Sequence, residues 1–190
     1  MRQADARAGR WVHGAVGEAA TARLLRRLDG RWWWVRRVLR RPIWRVRHDL
    51  RLAGRRFNVD HILVSPCGTA VVVLDTKNWH RGRPTGLVGG RVCCGAEDRH
   101  DQVVKVSGYA QAVGKVLPGV LVLPLLVVHG SPVAGGGFEA PVPGGTVWVL
   151  GTELLVPRLA SAVRGARDPR RAAQLVQRVD SVLRPYTEQP

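Results

Sequence analysis

Lysine is nearly missing from these 190 residues. It occurs three times, at Lys77, Lys105 and Lys115, against 27 arginines. Acids are scarce too, fourteen against thirty basic residues, which leaves a formal net charge of +16. Arginine in place of lysine, with abundant Ala, Gly and Val, fits a GC-rich coding bias. That bias does not account for the missing acids. So large a positive excess speaks of partners rather than fold, and polyanions match it best: nucleic acid first, an acidic membrane surface second.

Other shortages exclude whole chemistries. The three cysteines (Cys67, Cys93 and Cys94) form neither an even set nor a C-x-x-C pair, which argues against a disulfide framework and a zinc ribbon. Free thiols in a reducing cytoplasm are expected. The six histidines show no H-x-x-x-H spacing, so a zinc enzyme is not expected. No G-x-S-x-G elbow is present. Gly86-x-x-Gly89-Gly90 and Gly135-Gly136-Gly137 lack the Lys-Ser/Thr of a phosphate-binding loop and read as turns. The longest apolar run, Val116 to Val128, contains Pro118, Gly119 and Pro124. It is too short and too interrupted to span a bilayer. The N-terminus carries charge where a secretory leader would be apolar. A soluble, cytoplasmic protein is expected.

The pattern predicts a helix over 11–28, with Val12, Val16, Ala19, Ala20, Leu24, Leu25 and Leu28 along one side. After an unusual Trp- and Arg-rich run at 31–41, three strands follow in quick succession: Ile43 to Leu52, Phe57 to Val64 and Thr69 to Thr76. The last contains Ala70-Val-Val-Val-Leu74, a run that wants burial on both faces and so the centre of a sheet. A short strand is expected at Arg91 to Cys94, and a helix over 98–116 with Val103, Val106, Ala110 and Val113 facing inward. Beyond these come a buried strand at Val120 to Val128, a loop at 129–145, a strand at Thr146 to Leu150, and helices at about 152–163 and 169–184. This order predicts a single α/β domain over 1–190, a central mixed sheet of about five strands flanked by helices.

Chemistry concentrates on the third strand. Asp75 and Lys77 are two apart, so both side chains leave the same face. Asp60, on the preceding strand, is as far from the intervening tight turn as Asp75, so the two acids can oppose each other. Opposed carboxylates repel and destabilise a sheet unless something offsets them. A hard divalent cation of the Mg²⁺ type does so with only one or two carboxylates, the remaining positions being water. Lys77 beside such an ion can position or deprotonate water, or stabilise charge on a phosphate. Taken alone, an Asp-x-Lys pair is an ordinary solvated ion pair. The opposed acid is what that ordinary reading does not anticipate.

Three segments then carry a resemblance: Gly14-x-x-Gly17-Glu18, Asn58-Val-Asp60-His61-Ile-Leu-Val-Ser-Pro-Cys-Gly68, and Val72-Val-Leu-Asp75-Thr-Lys77-Asn78-Trp79. From about Gly14 to Gln111 the chain resembles the nuclease-related domain family, NERD, of the PD-(D/E)xK restriction-endonuclease-like superfamily. The resemblance implies a restriction-endonuclease-like core over 11–128, completed by a C-terminal strand and helices over 129–190. It implies a Mg²⁺- or Mn²⁺-dependent nuclease, with metal held by Glu18, Asp60 and Asp75, Lys77 assisting the attacking water, and Gln102 similar to a helix-borne glutamine of the superfamily. The chain departs from the pattern twice: Asp75 stands where relatives usually have Glu, and Val59 where the superfamily has Pro.

Gly14 and Gly17 each cost a helix about 1 kcal/mol against Ala. That cost is repaid if this helix must approach another backbone closely and so bring Glu18 to the sheet. His61, next to Asp60, faces the other side of its strand and is expected to be packed or solvated, not a ligand. Asn78 and Arg81, just past Lys77, and Arg36, Arg37 and Arg40 in the Trp-rich run are candidate nucleic-acid contacts. The expected partner is DNA rather than RNA, with no membrane, and a homo-oligomer left open. A nucleic-acid-binding module that kept the fold but does not cleave is the alternative.

Overall fold

Strands with apolar residues on every position must be covered on both faces, and that demand organises this protein. The computed structural model describes residues 2–29, 44–54, 57–162 and 165–186, with the side chains of 2–13 left aside. A long helix α1 (Arg2–Leu25) leads into strands β1 (Arg45–Leu52), β2 (Asn58–Val64) and β3 (Ala70–Asn78). A small sheet follows, β4 (Thr85–Val88), β5 (Arg91–Cys94) and β6 (Glu97–Asp98). Then come α2 (His100–Val116), β7 (Leu121–His129), β8 (Gly137–Val142), β9 (Gly145–Gly151), α3 (Thr152–Ser161), α4 (Pro169–Val182) and β10 (Leu183–Pro185).

The main sheet has seven strands, two more than the sequence suggested, in the order β10-β1-β2-β3-β7-β9-β8. β1, β2 and β3 are antiparallel neighbours, while β3, β7 and β9 run parallel. The sheet is therefore mixed, and β3 is its central strand. Alternation along β3 sends Val72 and Leu74 into one core with Leu25, Leu28, Trp44, Leu155 and Leu159. Val71 and Val73 enter the other, with Ala110, Val113, Leu175 and Val179. Helices α1 and α3 thus cover one face and α2 and α4 the other, giving three layers. Both faces of β3 are buried, as its composition required.

Two strands were not legible in advance. β8 lies in the segment expected to be a loop. It pairs only with β9, at the sheet edge, where Pro141 removes no ladder bond that a second neighbour would need. β10 follows directly on α4 and pairs with β1, Leu52 opposite Leu183. The Gly-rich stretch after β3, where one short strand was expected at Arg91 to Cys94, is a second, three-stranded sheet. Its buried side joins Trp79, Val92 and Cys94 to Val103, Val106 and Leu126.

Helix α1 also presents a different face from the expected one. Gly17, Thr21, Leu25 and Leu28 point inward, whereas Val16 and Ala19 are exposed. An apolar stripe would have kept Val16 inside. Instead Thr21 accepts from the Thr76 hydroxyl at 3.1 Å and pairs with His129 Nε2 at 2.7 Å, so a buried polar side chain is satisfied from both neighbouring strands.

Candidate active site

The turn Ser65–Thr69 is short and tied down by its own side chains. Ser65 Oγ accepts from the backbone N–H of Thr69 and Ala70, at 3.2 and 3.0 Å. It fixes the β2–β3 register at Val64↔Val71 through His61↔Leu74. One further step brings Asp60 opposite Asp75. There the regular ladder stops, and the Thr76 N–H donates to Asp60 Oδ2 at 2.7 Å. The expected opposition of the two acids holds, and a backbone amide has turned onto one of them.

Lys77 Nζ lies 2.5 Å from Asp75 Oδ2. Asp75 is 5 % exposed. Burial raises the Asp75 carboxyl above the usual range, with the Lys77 cation pulling the other way. Burial likewise works to lower the Lys77 ammonium, but the attraction of Asp75 and Asp60 overrides it and the group ends above its ordinary value. Asp60 is pushed up to about 8, first by burial and then by the negative charge of Asp75, against the Thr76 hydrogen bond. Lys77 pairs with Asp75 and offsets the charge of Asp60 least of all the groups around it, so the Asp60 carboxyl stays raised.

Glu18 approaches from α1. An added Cβ on Gly17 would meet Thr76 Cγ2 at 3.3 Å and Asn78 Cβ at 3.5 Å, so the helix does rest on β3 at this glycine. Gly14 makes no such approach: a Cβ there would meet only Glu18 Oε1, at 4.0 Å. The close-approach reading holds for Gly17 and fails for Gly14. Glu18 is raised by burial and by repulsion from Asp49 and Asp75, with Lys77 opposing. Among the described residues, however, no three His, Cys, Asp or Glu side chains stand close enough together to hold an ion. Asp60 and Asp75 come together; Glu18 joins them through the field rather than in a three-ligand group.

This contrast between the glycines is measurable. Gly17→Leu is expected to lift α1 from the sheet and destabilise the protein by about 1–3 kcal/mol. Gly14→Ala is expected to stabilise it by up to about 1 kcal/mol. Denaturant unfolding of both variants reads the difference in sign.

The remaining expectations divide. Gln102 does not turn its amide to the acids: its Oε1 accepts from the Trp79 indole N–H at 3.2 Å, joining α2 to the strand end. Asn78 lies on the α1 side of β3, next to Gly17, away from the face of Asp75 and Lys77. Arg81 is exposed in the turn that follows. Arg36, Arg37 and Arg40, with Trp32, Trp33 and Trp34, lie outside the described residues. His61 is buried and packed as expected, its Nδ1 paired with His48 Nδ1 at 2.8 Å. Burial and its histidine neighbours hold it at about 3, so it is neutral. Cys67 and Cys94 are buried, and all three cysteines are free thiols.

Sequence reasoning missed two groups on α2. Tyr109 stacks on Phe57, centroids 4.6 Å apart, and its hydroxyl is raised by burial and by Asp75 and Asp60. Lys105 is close enough to pull Asp75 downward. Gln102, Lys105 and Tyr109 recur at helical spacing, a signal present in the sequence but unread. The helix lends its polar side to the site while Val103, Val106, Ala110 and Val113 hold the core.

Two neighbouring carboxylates, hard oxygen donors with a charge deficit between them, suit a Mg²⁺- or Mn²⁺-type ion that keeps several waters. No curated protein and no solved structure matches the chain. The family model described as nuclease-related domain matches residues 13–129, well over half of the chain and all of the site just described. The chain belongs to the nuclease-related domain family, within the restriction-endonuclease-like superfamily.

Proposed function

We propose that the protein is a Mg²⁺- or Mn²⁺-dependent nuclease hydrolysing phosphodiester bonds, of DNA rather than RNA. The observation that carries this reading is the opposed Asp60–Asp75 pair with Lys77 against Asp75, at the end of a central strand in a chain of charge +16. Asp60 and Asp75 would hold the ion, which when bound supplies Lewis-acid polarisation of the phosphate and an activated water. Glu18 and Tyr109 would bond its outer waters or the substrate.

The chain's own groups then have assignable tasks. Lys77, held above its ordinary value, is a cation at neutral pH. It therefore serves as a charge partner for the phosphate oxygens rather than as the base that removes a proton from water. Asp60 carries a proton near neutrality and must release it before it can act as a ligand. Burial excludes bulk water around Asp75, which strengthens every charge interaction there. Water adds to phosphorus, one P–O bond breaks, and the departing oxygen leaves with a proton.

The test is incubation of supercoiled and single-stranded DNA, and of RNA, with Mg²⁺, Mn²⁺ or EDTA. Metal-dependent nicking of DNA is expected. Firm DNA binding with no cutting under any ion would replace this reading with that of a binding module on the same fold.

A further inference from the structure

Lysine is scarce enough in this chain that the place of each one is informative. Lys77 lies in the site, and the other two, Lys105 and Lys115, are both on α2. Lys105 shares one side of that helix with Gln102 and Tyr109, about one turn to either side of it. Both neighbours are anchored. Gln102 accepts from the Trp79 indole N–H at 3.2 Å, and Tyr109 stacks on Phe57 with centroids 4.6 Å apart. Trp79 directly follows the strand of Asp75 and Lys77, and Phe57 directly precedes the strand of Asp60. The side of α2 that bears Lys105 therefore runs from the end of β3 to the start of β2, along the rim that carries both acids.

Strand alternation points the same way. Asp75 and Lys77 continue the series Val71, Val73, and the core that takes those two valines also takes Ala110 and Val113 of α2. Both site residues thus project toward this helix. The attraction that Lys105 exerts on Asp75, and Tyr109 on Lys77, agrees with that placement. An exposed helix lysine is ordinarily a solvated charge, paired if at all with an acid one turn away. Asp101 stands one turn before Lys105, but it turns to Arg91 instead, at 3.7 Å. Lys105 is exposed and makes no ion pair among the described residues. It is an open cation over the acids.

We propose that Lys105 binds the phosphate next to the scissile one, so that the DNA backbone crosses the site between β3 and α2 rather than on the α1 side. This rests on the nuclease reading above and names the path its substrate takes. Asp75 receives a hydrogen bond from Lys77 but only longer-range attraction from Lys105. The two ammonium groups therefore stand apart and serve successive phosphates. Lys77 answers the charge of the phosphate that reacts. Lys105 holds one that does not, so its contact is the same before and during the reaction and acts on KM rather than kcat.

The test is steady-state cleavage of DNA with Mn²⁺, and binding of DNA in EDTA over a range of salt, by full-length Lys105→Met, Lys105→Arg and Lys115→Met. Lys115 is exposed and about 15 Å further along α2, so its loss removes the same charge away from the acids. Lys105→Met is expected to raise KM about tenfold with a far smaller change in kcat. It should also lower the salt slope of log K by about 1. Lys105→Arg should keep wild-type KM and slope, and Lys115→Met should change neither. If Lys105→Met and Lys115→Met behave alike, the effect is diffuse charge, and the proposal is overturned while the nuclease stands. A fall in kcat with KM and slope held would also overturn it, because Lys105 would then act on the reaction through Asp75. Wild type that binds without cutting would remove the nuclease reading. A slope lowered by Lys105→Met alone would then still uphold the phosphate contact, and an unchanged slope would overturn it. Wild type that neither binds nor cuts DNA would overturn both readings.

Discussion

Lys77→Ala is expected to lower the rate of metal-dependent DNA nicking by about 10²–10³, the usual loss when one preorganised charge partner of the transition state is removed. Lys77 pairs with Asp75, and the attraction of Asp75 and Asp60 holds its ammonium above the ordinary lysine value. Binding of DNA should weaken far less, because the bulk of that affinity comes from many other arginines. The loss then appears in kcat rather than in KM. Removing one member of a largely buried pair also leaves Asp75 without its partner, and the cost of about 1–3 kcal/mol should appear as a lower unfolding midpoint. Stability and activity can be separated with a second variant. Asp75→Asn/Lys77→Met removes both charges, should recover most of the lost stability, and should remain inactive. Recovery of nicking in that double variant would remove the site from the Asp75–Lys77 pair.

Asp60→Asn is expected to do the opposite to stability. A carboxyl raised in the fold from its ordinary 3.8 to about 8 binds its proton more tightly folded than unfolded. Between those values the folded state holds the extra proton, so its stability falls as pH rises through that window and levels off on either side. Asparagine can still accept the Thr76 N–H while carrying no charge. The variant should match wild type near pH 4 and exceed it by about 1–3 kcal/mol near pH 8.5, a shift of roughly 3–10 °C in midpoint for a chain of this size. Mn²⁺ should reverse the ranking. Wild type gains stability by binding the ion, more so at higher pH because Asp60 must lose its proton first, and the variant gains little. Thermal unfolding at three pH values, with and without Mn²⁺, reads all of this. Equal midpoints for the two proteins at pH 8.5 without metal would show that Asp60 is not under the strain assigned to it. Sites that hold like charges together for chemistry characteristically weaken the metal-free fold in this way.

Much of the site was legible before any tertiary information. Period-two alternation alone puts Asp75 and Lys77 on one face, and a short polar turn alone makes Asp60 the partner of Asp75. The run Ala70 to Leu74 demanded cover on both faces, and the three-layer arrangement supplies it. These are statements about residues near one another in the chain, where geometry leaves few options.

Other features depend on distant segments meeting. The inward face of α1 is not its most apolar one, because Thr21 and Gly17 are accommodated by Thr76, Asn78 and His129, the last more than a hundred residues away. Gln102, expected among the catalytic groups, bonds Trp79, while Tyr109 and Lys105 from the same helix lie within the electrostatic field of the acids. Which polar side of a helix faces a site depends on its rotation about its own axis, and that is set by packing on a sheet whose seven strands come from β1 to β3 and β7 to β10. β8 and β10 are strands because a neighbour's edge was open to them, not because their residues favour extension. By itself the sequence determined the opposed acids, their lysine, the buried central strand and the positive charge. Only the tertiary structure decided what surrounds them, since contacts across layers are chosen by the whole core at once rather than by local period and turn length.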